Sequence, residues 1–403
     1  MSDVRALLVS GEYPPRQGGV GDYTALLTAY LRRVGVHADV LTGDGQHRKP
    51  DDATPRPVAF AASWGWRCWS DIVRAARSGG YQVLHVQYQA AAYGLHPAIA
   101  FVPLRLRLLG PPLPVVTTLH DLRVPYLFPK AGPLRQLVVR LLATTSAATV
   151  CTDPADLAVV RRWGAKAFWI PIGSNILEEP PAGFSAAAWR ERLGVAPSDL
   201  LVVFFGFRNA SKGLDVLLDA VALLRREGHP VRLLLLGGET GDSDATNREE
   251  ARRIERRTHE LGLAPLVLQS GFLTGCEIAA SLRAADVCAL PYADGASLRR
   301  GTLMAALVQG APVVTTRGDD PPPTPPSALL PPFTPDACRL RDGENLVLVP
   351  RGDAEALARA LLHVARTPDL RRRLIVGGQQ LARHVSWWNI ASATRTLYER
   401  LLT

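Results

Sequence analysis

Short apolar runs recur along the chain, and between them apolar residues fall three and four apart. The first pattern predicts buried strands and the second helices with one core face. In the first half, strands are expected at Arg5–Ser10, Val36–Leu41, Gln82–Val86, Pro114–Leu119, Ala148–Cys151 and Ala167–Ile170. Helical spacing covers Tyr23–Val34, closed by Gly35, and Leu134–Leu142. Pro171–Pro181, PIGSNILEEPP, breaks both periodicities and reads as a connection. The alternation then restarts after Trp189–Leu193. Strands Leu200–Phe205, Val231–Leu236, Leu266–Gln269, Val287–Leu290 and Pro312–Thr316 alternate with helices Leu214–Arg226, Glu249–Leu261, Glu277–Ala285 and Thr302–Gln309. Gly237–Asn247 reads as a flexible loop and Asp319–Pro335, crowded with proline, as a surface excursion. A strand at Val347–Val349 and helices Glu355–Val364, Leu370–Arg383 and Trp388–Leu402 complete the chain. Repeated βα units predict α/β architecture with two Rossmann-like, doubly wound parallel sheets. The expected divisions are 1–175, 176–385 and a closing segment, 386–403.

Composition agrees with two globular domains: 403 residues, 47% hydrophobic and 21% charged, exceed one ordinary core. No stretch approaches about 20 uncharged apolar residues, so no membrane span is expected. The start lacks the zones of a signal peptide, and the five cysteines are scattered without a CxxC pair. These features point to a reducing, cytoplasmic setting and away from a zinc site. The formal charge is +9, and with four lysines the excess rests on arginine. Such a balance favours anionic partners. Basic residues are not interleaved with aromatics and no nucleic-acid-binding signature is present, so nucleic acid is not an expected partner. Phe101–Leu109 and Leu134–Leu142 mix arginines into apolar runs, which suits either an anionic bilayer surface or an ordinary core-facing helix.

Candidate chemistry gathers where predicted strands end. Gly18, Gly19 and Gly21 lie before the first helix and permit close backbone approach by a ligand. GGVG lacks GxGxxG spacing and no acidic residue ends the second strand, so a nicotinamide cofactor is not expected. His120 and Asp121 follow a strand, where α/β sites form, and could orient or donate to bound hydroxyls. Arg208 and Lys212 share the loop GFRNASKG before a helix, an arrangement suited to a diphosphate. In PYADGASLRRGTLMAALVQGAPVVTT, Asp294, Ser297, Arg299 and Arg300 precede a helix mouth at Gly301 and Thr302. Two guanidiniums there can bind phosphate oxygens in forked geometry. No HExxH, clustered metal ligands or GxSxG is present, which disfavours metal or triad hydrolysis. The layout fits group transfer from a nucleotide-diphosphate donor across a cleft between two domains.

These motifs, in this order, resemble the group-one glycosyltransferases of the two-Rossmann GT-B fold over nearly the whole chain. PPRQGGVGDYTALLTAYLRRVG resembles the acceptor-side loop and helix, and VVTTLHD the His-bearing strand end. FFGFRNASKGLDVLLDAVALL is similar to the phosphate-binding strand–loop–helix. SGFLTGCEIAASLRAADVCALPY with GAPVVTT is similar to the donor-side core. ENLVLVPRGDAEALARAL and VSWWNIASATRTLYERL resemble the C-terminal part, whose last helix crosses back to the first domain. The resemblance implies metal-independent transfer of a sugar from a nucleotide sugar, UDP- or GDP-linked, to an acceptor hydroxyl with retained anomeric configuration. It implies Gly18 and Gly19 near donor phosphates or acceptor, His120 on the transferring sugar and Lys212 on the diphosphate.

The family commonly carries two glutamates eight positions apart, where this chain has Ser297 and Ala305; its usual phosphate-loop arginine is Phe207, with Arg208 one place later. A physical substitute is Arg299, Arg300 and the Gly301–Thr302 backbone on the diphosphate, with Asp294 and Ser297 on sugar hydroxyls. The rival readings are a non-catalytic sugar-nucleotide-binding homologue and a sugar-nucleotide epimerase or hydrolase. Acceptors of lipid-linked, glycan or small-molecule type are all compatible, and the basic balance favours peripheral contact with the inner face of a membrane.

Overall fold

The structure, a computed structural model, describes residues 4–16, 18–43, 54–110, 113–122, 132–237, 245–271, 273–320 and 322–403. Most of the loop expected at Gly237–Asn247 lies outside them. The chain divides into two compact units: 1–173 with 321–336 and 385–403, and 174–320 with 337–384.

Unit 1 begins β1 (Arg5–Ser10), α1 (Gly19–Arg33), β2 (His37–Gly43), β3 (Ala59–Ala61), α2 (Cys68–Ser78) and β4 (Val83–Tyr88). It continues α3 (Val102–Leu109), β5 (Val115–Leu119), α4 (Gly132–Thr145), β6 (Ala148–Cys151), α5 (Pro154–Arg162) and β7 (Ala167–Trp169). Among the described residues the sheet has seven strands in the order β3-β2-β1-β4-β5-β6-β7, every pairing parallel. Its strands are buried almost throughout, as helices on both faces require. Winding reverses between β1 and β4, so the crevice at their carboxyl ends is where a ligand site is expected.

Unit 2 begins α6 (Ala186–Arg192), β8 (Leu200–Phe205), α7 (Leu214–Arg226), β9 (Val231–Leu236), α8 (Ala245–Glu260) and β10 (Val267–Gln269). It continues α9 (Gly275–Ala284), β11 (Val287–Leu290), α10 (Gly301–Val308), β12 (Val313–Thr316), β13 (Val347–Val349), α11 (Ala354–Arg366) and α12 (Pro368–His384). The strand order β10-β9-β8-β11-β12-β13 reverses between β8 and β11. Leu217, Leu218 and Val221 of α7 meet Leu357 and Leu361 of α11 in a core over β8 and β9.

The closing helix, α13 (Trp387–Leu402), belongs to unit 1 and starts at a cap in which Ser386 Oγ accepts from Asn389 N. Trp387 packs edge-on against Tyr23 of α1, ring centroids 5.1 Å apart. Tyr398 is fully buried and its hydroxyl lies 2.6 Å from His85 Nδ1 on β4, while His85 Nε2 lies 2.7 Å from Thr118 Oγ1. Burial lowers the His85 pKa to about 3, with His120 adding to the shift, so the ring is neutral at pH 7.

Three elements exceed the periodicity. β3 is three residues long, α2 follows a tryptophan-rich stretch, and α5 opens at Pro154 behind Asp153, whose side chain accepts from Ala155 N at 2.9 Å. The proline-crowded segment is not merely a surface excursion. Ala328, Leu330 and Phe333 between its prolines are buried in unit 1, and Leu329 bridges to Trp169. Alternate apolar residues there cover the exposed edge at β7.

Candidate functional site

In unit 1 the chain leaving β1 turns through Glu12 before entering α1. Glu12 Oε1 accepts from Val20 N at 3.1 Å and Gly21 N at 3.3 Å. A carboxylate therefore sits on the first turn of α1, where unpaired amides attract an anion. Helix α1 accordingly starts at Gly19, ahead of the expected Tyr23. Gly18 has extended backbone, and what it supplies is space: a Cβ there would lie 2.3 Å from Glu12 Oε1. Gly19 is exposed, with nothing near the position of a Cβ. The glycine loop is in place, but the chain's own carboxylate occupies its amides.

His120 stands at the carboxyl end of β5, with Tyr23 edge-on at 4.7 Å. Its Nε2 lies 3.1 Å from Gln87 Oε1 at the end of β4. Burial lowers the His120 pKa to about 3, which leaves the imidazole neutral at pH 7. With the Gln87 amide oriented this way, Nε2 carries the proton and donates to Gln87, and Nδ1 is the acceptor. The ring is thus set to receive a hydrogen bond from a hydroxyl rather than to donate one. Gln87 is fully buried and its Nε2 has no partner among the described residues, so one donor at this strand end awaits an acceptor. Asp121 receives a long hydrogen bond from Gln89 Nε2, 3.5 Å.

In unit 2 the loops after β8 and β11 meet. Gly213, at φ +65°, is required there, because a Cβ would fall 1.9 Å from Pro291 O. Ala293 N donates to Ser211 O at 3.0 Å, tying the two loops together. The close approach brings Lys212 Nζ to 5.2 Å from the centre of the Tyr292 ring, and Arg300 Cζ to 4.7 Å from the same ring. Tyr292 is fully buried, and its hydroxyl lies 2.7 Å from Thr302 Oγ1 in the first turn of α10. Asp294 pairs with Arg300 and, at 3.4 Å, with Arg299. Burial lowers the Lys212 pKa to about 8, Arg300 pushes it the same way and Asp294 opposes. The N-cap residue of α10, Arg300, makes no capping hydrogen bond with its side chain. Ser297 Oγ is buried without a partner among the described residues.

Thus Lys212, Asp294, Arg299, Arg300 and Thr302 form one cluster at the mouth of α10. Arg208 is directed elsewhere: it is buried and its Nη2 donates to Gln269 Oε1 at the end of β10, 2.9 Å away. β10 and β11 lie on opposite sides of β8. The sequence reading missed Glu12, Tyr23, Gln87 and Tyr292. Each sits at or just beyond a strand's carboxyl end or in the following helix, a position that could have singled it out; the contacts that give each a role are long-range.

A family model described as glycosyl transferases group 1 matches residues 199–367, and one described as glycosyltransferase family 4 matches 17–175. The chain belongs to the group 1 glycosyltransferases. This group 1 glycosyltransferase is 31% identical over 255 residues to a phosphatidyl-myo-inositol mannosyltransferase of Mycobacterium leprae, covering 62% of this chain and 58% of that one. It is 28% identical to a D-inositol 3-phosphate glycosyltransferase of Streptomyces bingchenggensis over 64% of this chain and 52% of that one. The matched stretch is therefore little more than half the length of these two curated relatives. A mannosyltransferase of Mycobacterium tuberculosis matches at 26% identity over 95% of this chain and 93% of its own. A sucrose-phosphate synthase of Thermosynechococcus elongatus shares the fold at TM-score 0.75 and 22% identity, covering 99% of each chain. HepE of Anabaena, solved with UDP and glucose, does so at TM-score 0.71 and 19% identity, again covering 99% of each. Where the family usually has its second glutamate, this glycosyltransferase has Ala305, fully buried in α10.

Proposed function

We propose that the protein transfers a sugar from a nucleotide-diphosphate sugar to an acceptor hydroxyl, with retained anomeric configuration and without a metal ion. The observation that carries this is the placement of Lys212 and Arg300 on one buried tyrosine ring beside the mouth of α10. A departing diphosphate gathers negative charge, and positioned cations with helix amides stabilise it without reorganising. Lys212, Arg299 and Arg300 supply the positive charge that a divalent ion provides elsewhere. Arg299 and Arg300 are pre-set by Asp294, which also holds the local balance of charge while the site awaits its anion. Asp294 and Ser297 are assigned to sugar hydroxyls, and Arg208 to the part of the donor nearest β10.

On the acceptor side, His120 Nδ1 receives a hydrogen bond from a sugar hydroxyl and Gln87 offers an amide donor. No carboxylate in the α10 cluster is free of its arginines to act as a nucleophile. The phosphate leaving on one face of the sugar then assists the incoming hydroxyl on that same face. Relatives named for myo-inositol lipids and inositol phosphate support a polyol hydroxyl as acceptor, at or near the cytoplasmic face of a membrane.

A second reading, a nucleotide-sugar binder without turnover, is favoured by one observation: Ala305 and Ser297 stand where the family has carboxylates. Calorimetry and release of nucleoside diphosphate from UDP-, GDP- and ADP-linked sugars, with and without polyol acceptors, separate the two. Acceptor-dependent release establishes transfer. Binding with no release establishes the second reading, and release independent of acceptor establishes a hydrolase.

A further inference from the structure

The face of unit 1 built from α2 and α3 carries a cavity that sugar transfer does not use. It is an open cleft of about 610 Å3, and its wall includes Arg74, Arg77, Arg105, Ser70, Ser78 and Trp69, with no carboxylate. Asp71, on the same helix, lies 3.6 Å from Arg74 and also accepts from Ala62 N at 3.2 Å, and the Arg74 side chain stays largely exposed. Arg105 is partly buried, and its Nη1 is shielded from solvent with no hydrogen-bond partner among the described residues. A guanidinium nitrogen in that state has lost its water without gaining an acceptor, which an anionic ligand would supply.

The cavity is separate from the strand ends that carry His120. Helices α2 and α3 lead into β4 and β5, so their last turns lie towards the amino ends of those strands. Arg77 and Ser78 are in the last turn of α2. Large apolar side chains just before α2 and at the end of α3 are exposed: Trp66 is 51% exposed, Leu108 67% and Leu109 72%. Trp66 stacks edge-on with Trp69 at 5.0 Å, continuing the apolar surface to the cavity wall.

We propose that this cavity binds a phosphate ester, with the three guanidiniums on the phosphate oxygens and the two serines on neighbouring oxygens. A lipid headgroup and a soluble sugar or polyol phosphate share that chemistry. The test uses the full chain in two arms: calorimetry with glycerol 3-phosphate, and flotation with vesicles of phosphatidylcholine alone or mixed with phosphatidylglycerol. The wild type should bind glycerol 3-phosphate or the anionic vesicles and ignore pure phosphatidylcholine. Arg74→Gln/Arg77→Gln/Arg105→Gln should lose at least tenfold. Arg74→Gln/Arg77→Gln, which alters exposed positions and spares the packed one, should lose severalfold even if the triple variant folds poorly. Leu108→Ser/Leu109→Ser identifies the source: loss of vesicle binding with glycerol 3-phosphate retained assigns a lipid, and unchanged binding in both arms assigns a soluble ester. Wild-type protein that binds neither probe, or arginine variants that bind as the wild type does, would overturn the proposal. Donor-nucleotide binding in the same samples should not change, so this result stands apart from the transferase reading.

Discussion

The mouths of α1 and α10 sit in corresponding surroundings, each following a strand at the point where its sheet reverses winding. In unit 1, Glu12 puts a carboxylate on the first amides of α1. In unit 2 the N-cap side chain makes no capping hydrogen bond to α10, and Lys212, Arg299 and Arg300 gather beside it. A glycine-rich loop before a helix is thus an incomplete description of an anion site. What decides is whether the chain supplies the anion or the cations. The two mouths are finished with opposite charge, and on that contrast rests the proposal that the donor's phosphates bind at α10 and uncharged hydroxyls on the α1 side, near His120 and Gln87.

The largest expected effect tests that assignment directly. Lys212→Ala should lower kcat/KM for the donor by 100- to 1,000-fold, on the scale of roughly 3–4 kcal/mol seen for groups that stabilise developing charge. Arg300→Ala should fall in the same class. Glu12→Ala should change donor kcat/KM only a few-fold. Equal losses at Glu12 and Lys212 would break the contrast between the mouths.

Acid should next distinguish unit 1, through the histidine that anchors α13. The His85 pKa is lowered on folding to about 3, so its contribution to stability is complete above the unfolded value of about 6.5 and is lost as pH falls below it. Urea unfolding at pH 7 and pH 5 should differ by about 2 kcal/mol from this ring alone. His85→Gln should shrink that difference, and equal stability at the two pH values would show that the ring is charged when folded.

Lys212 gives a smaller effect with the opposite sense of pH. Its pKa is lowered to about 8, so the ammonium is charged below that value and neutral above it. Donor affinity should fall between pH 7.5 and 9, by at most about tenfold per unit, and Lys212→Arg should flatten the profile. A flat wild-type profile would place the diphosphate away from Lys212.

How far the sequence carried this account depends on the range of the interaction. β1, β6, β8, β9, β11, β13 and α7 lie where apolar spacing put them, because burial on both faces imprints a local pattern. β3 has three residues, too few for any period to declare itself, and the local signal for α5 is confined to its cap, Asp153 ahead of Pro154. Lys212 and the arginine pair were legible from their loops and helix mouth. Their meeting on Tyr292 was not, since it depends on Gly213 passing against Pro291 across 78 positions of chain. Arg208 shows the converse. Four residues from Lys212, it was expected to share a phosphate with it, yet its side chain crosses towards Gln269 on another strand. Sequence proximity sets which loop a cation is on, and rotamer and packing set what it faces.

Glu12→Gln makes the finest test of the two mouths. Glutamine keeps an oxygen for Val20 N and Gly21 N but removes the charge, so only the interaction with the helix dipole is lost. That interaction is worth about 0.3–1 kcal/mol near a partly exposed helix end. Unfolding free energy should drop by that amount at low salt and by less at high salt, where screening shortens the reach of the charge. In Glu12→Ala, which vacates the position, millimolar inorganic phosphate should recover stability by occupying the exposed amides, with no such gain in the wild type. If phosphate stabilises the wild type as strongly as Glu12→Ala, the carboxylate is not the resident anion, and the mouth of α1 is open to a phosphate after all.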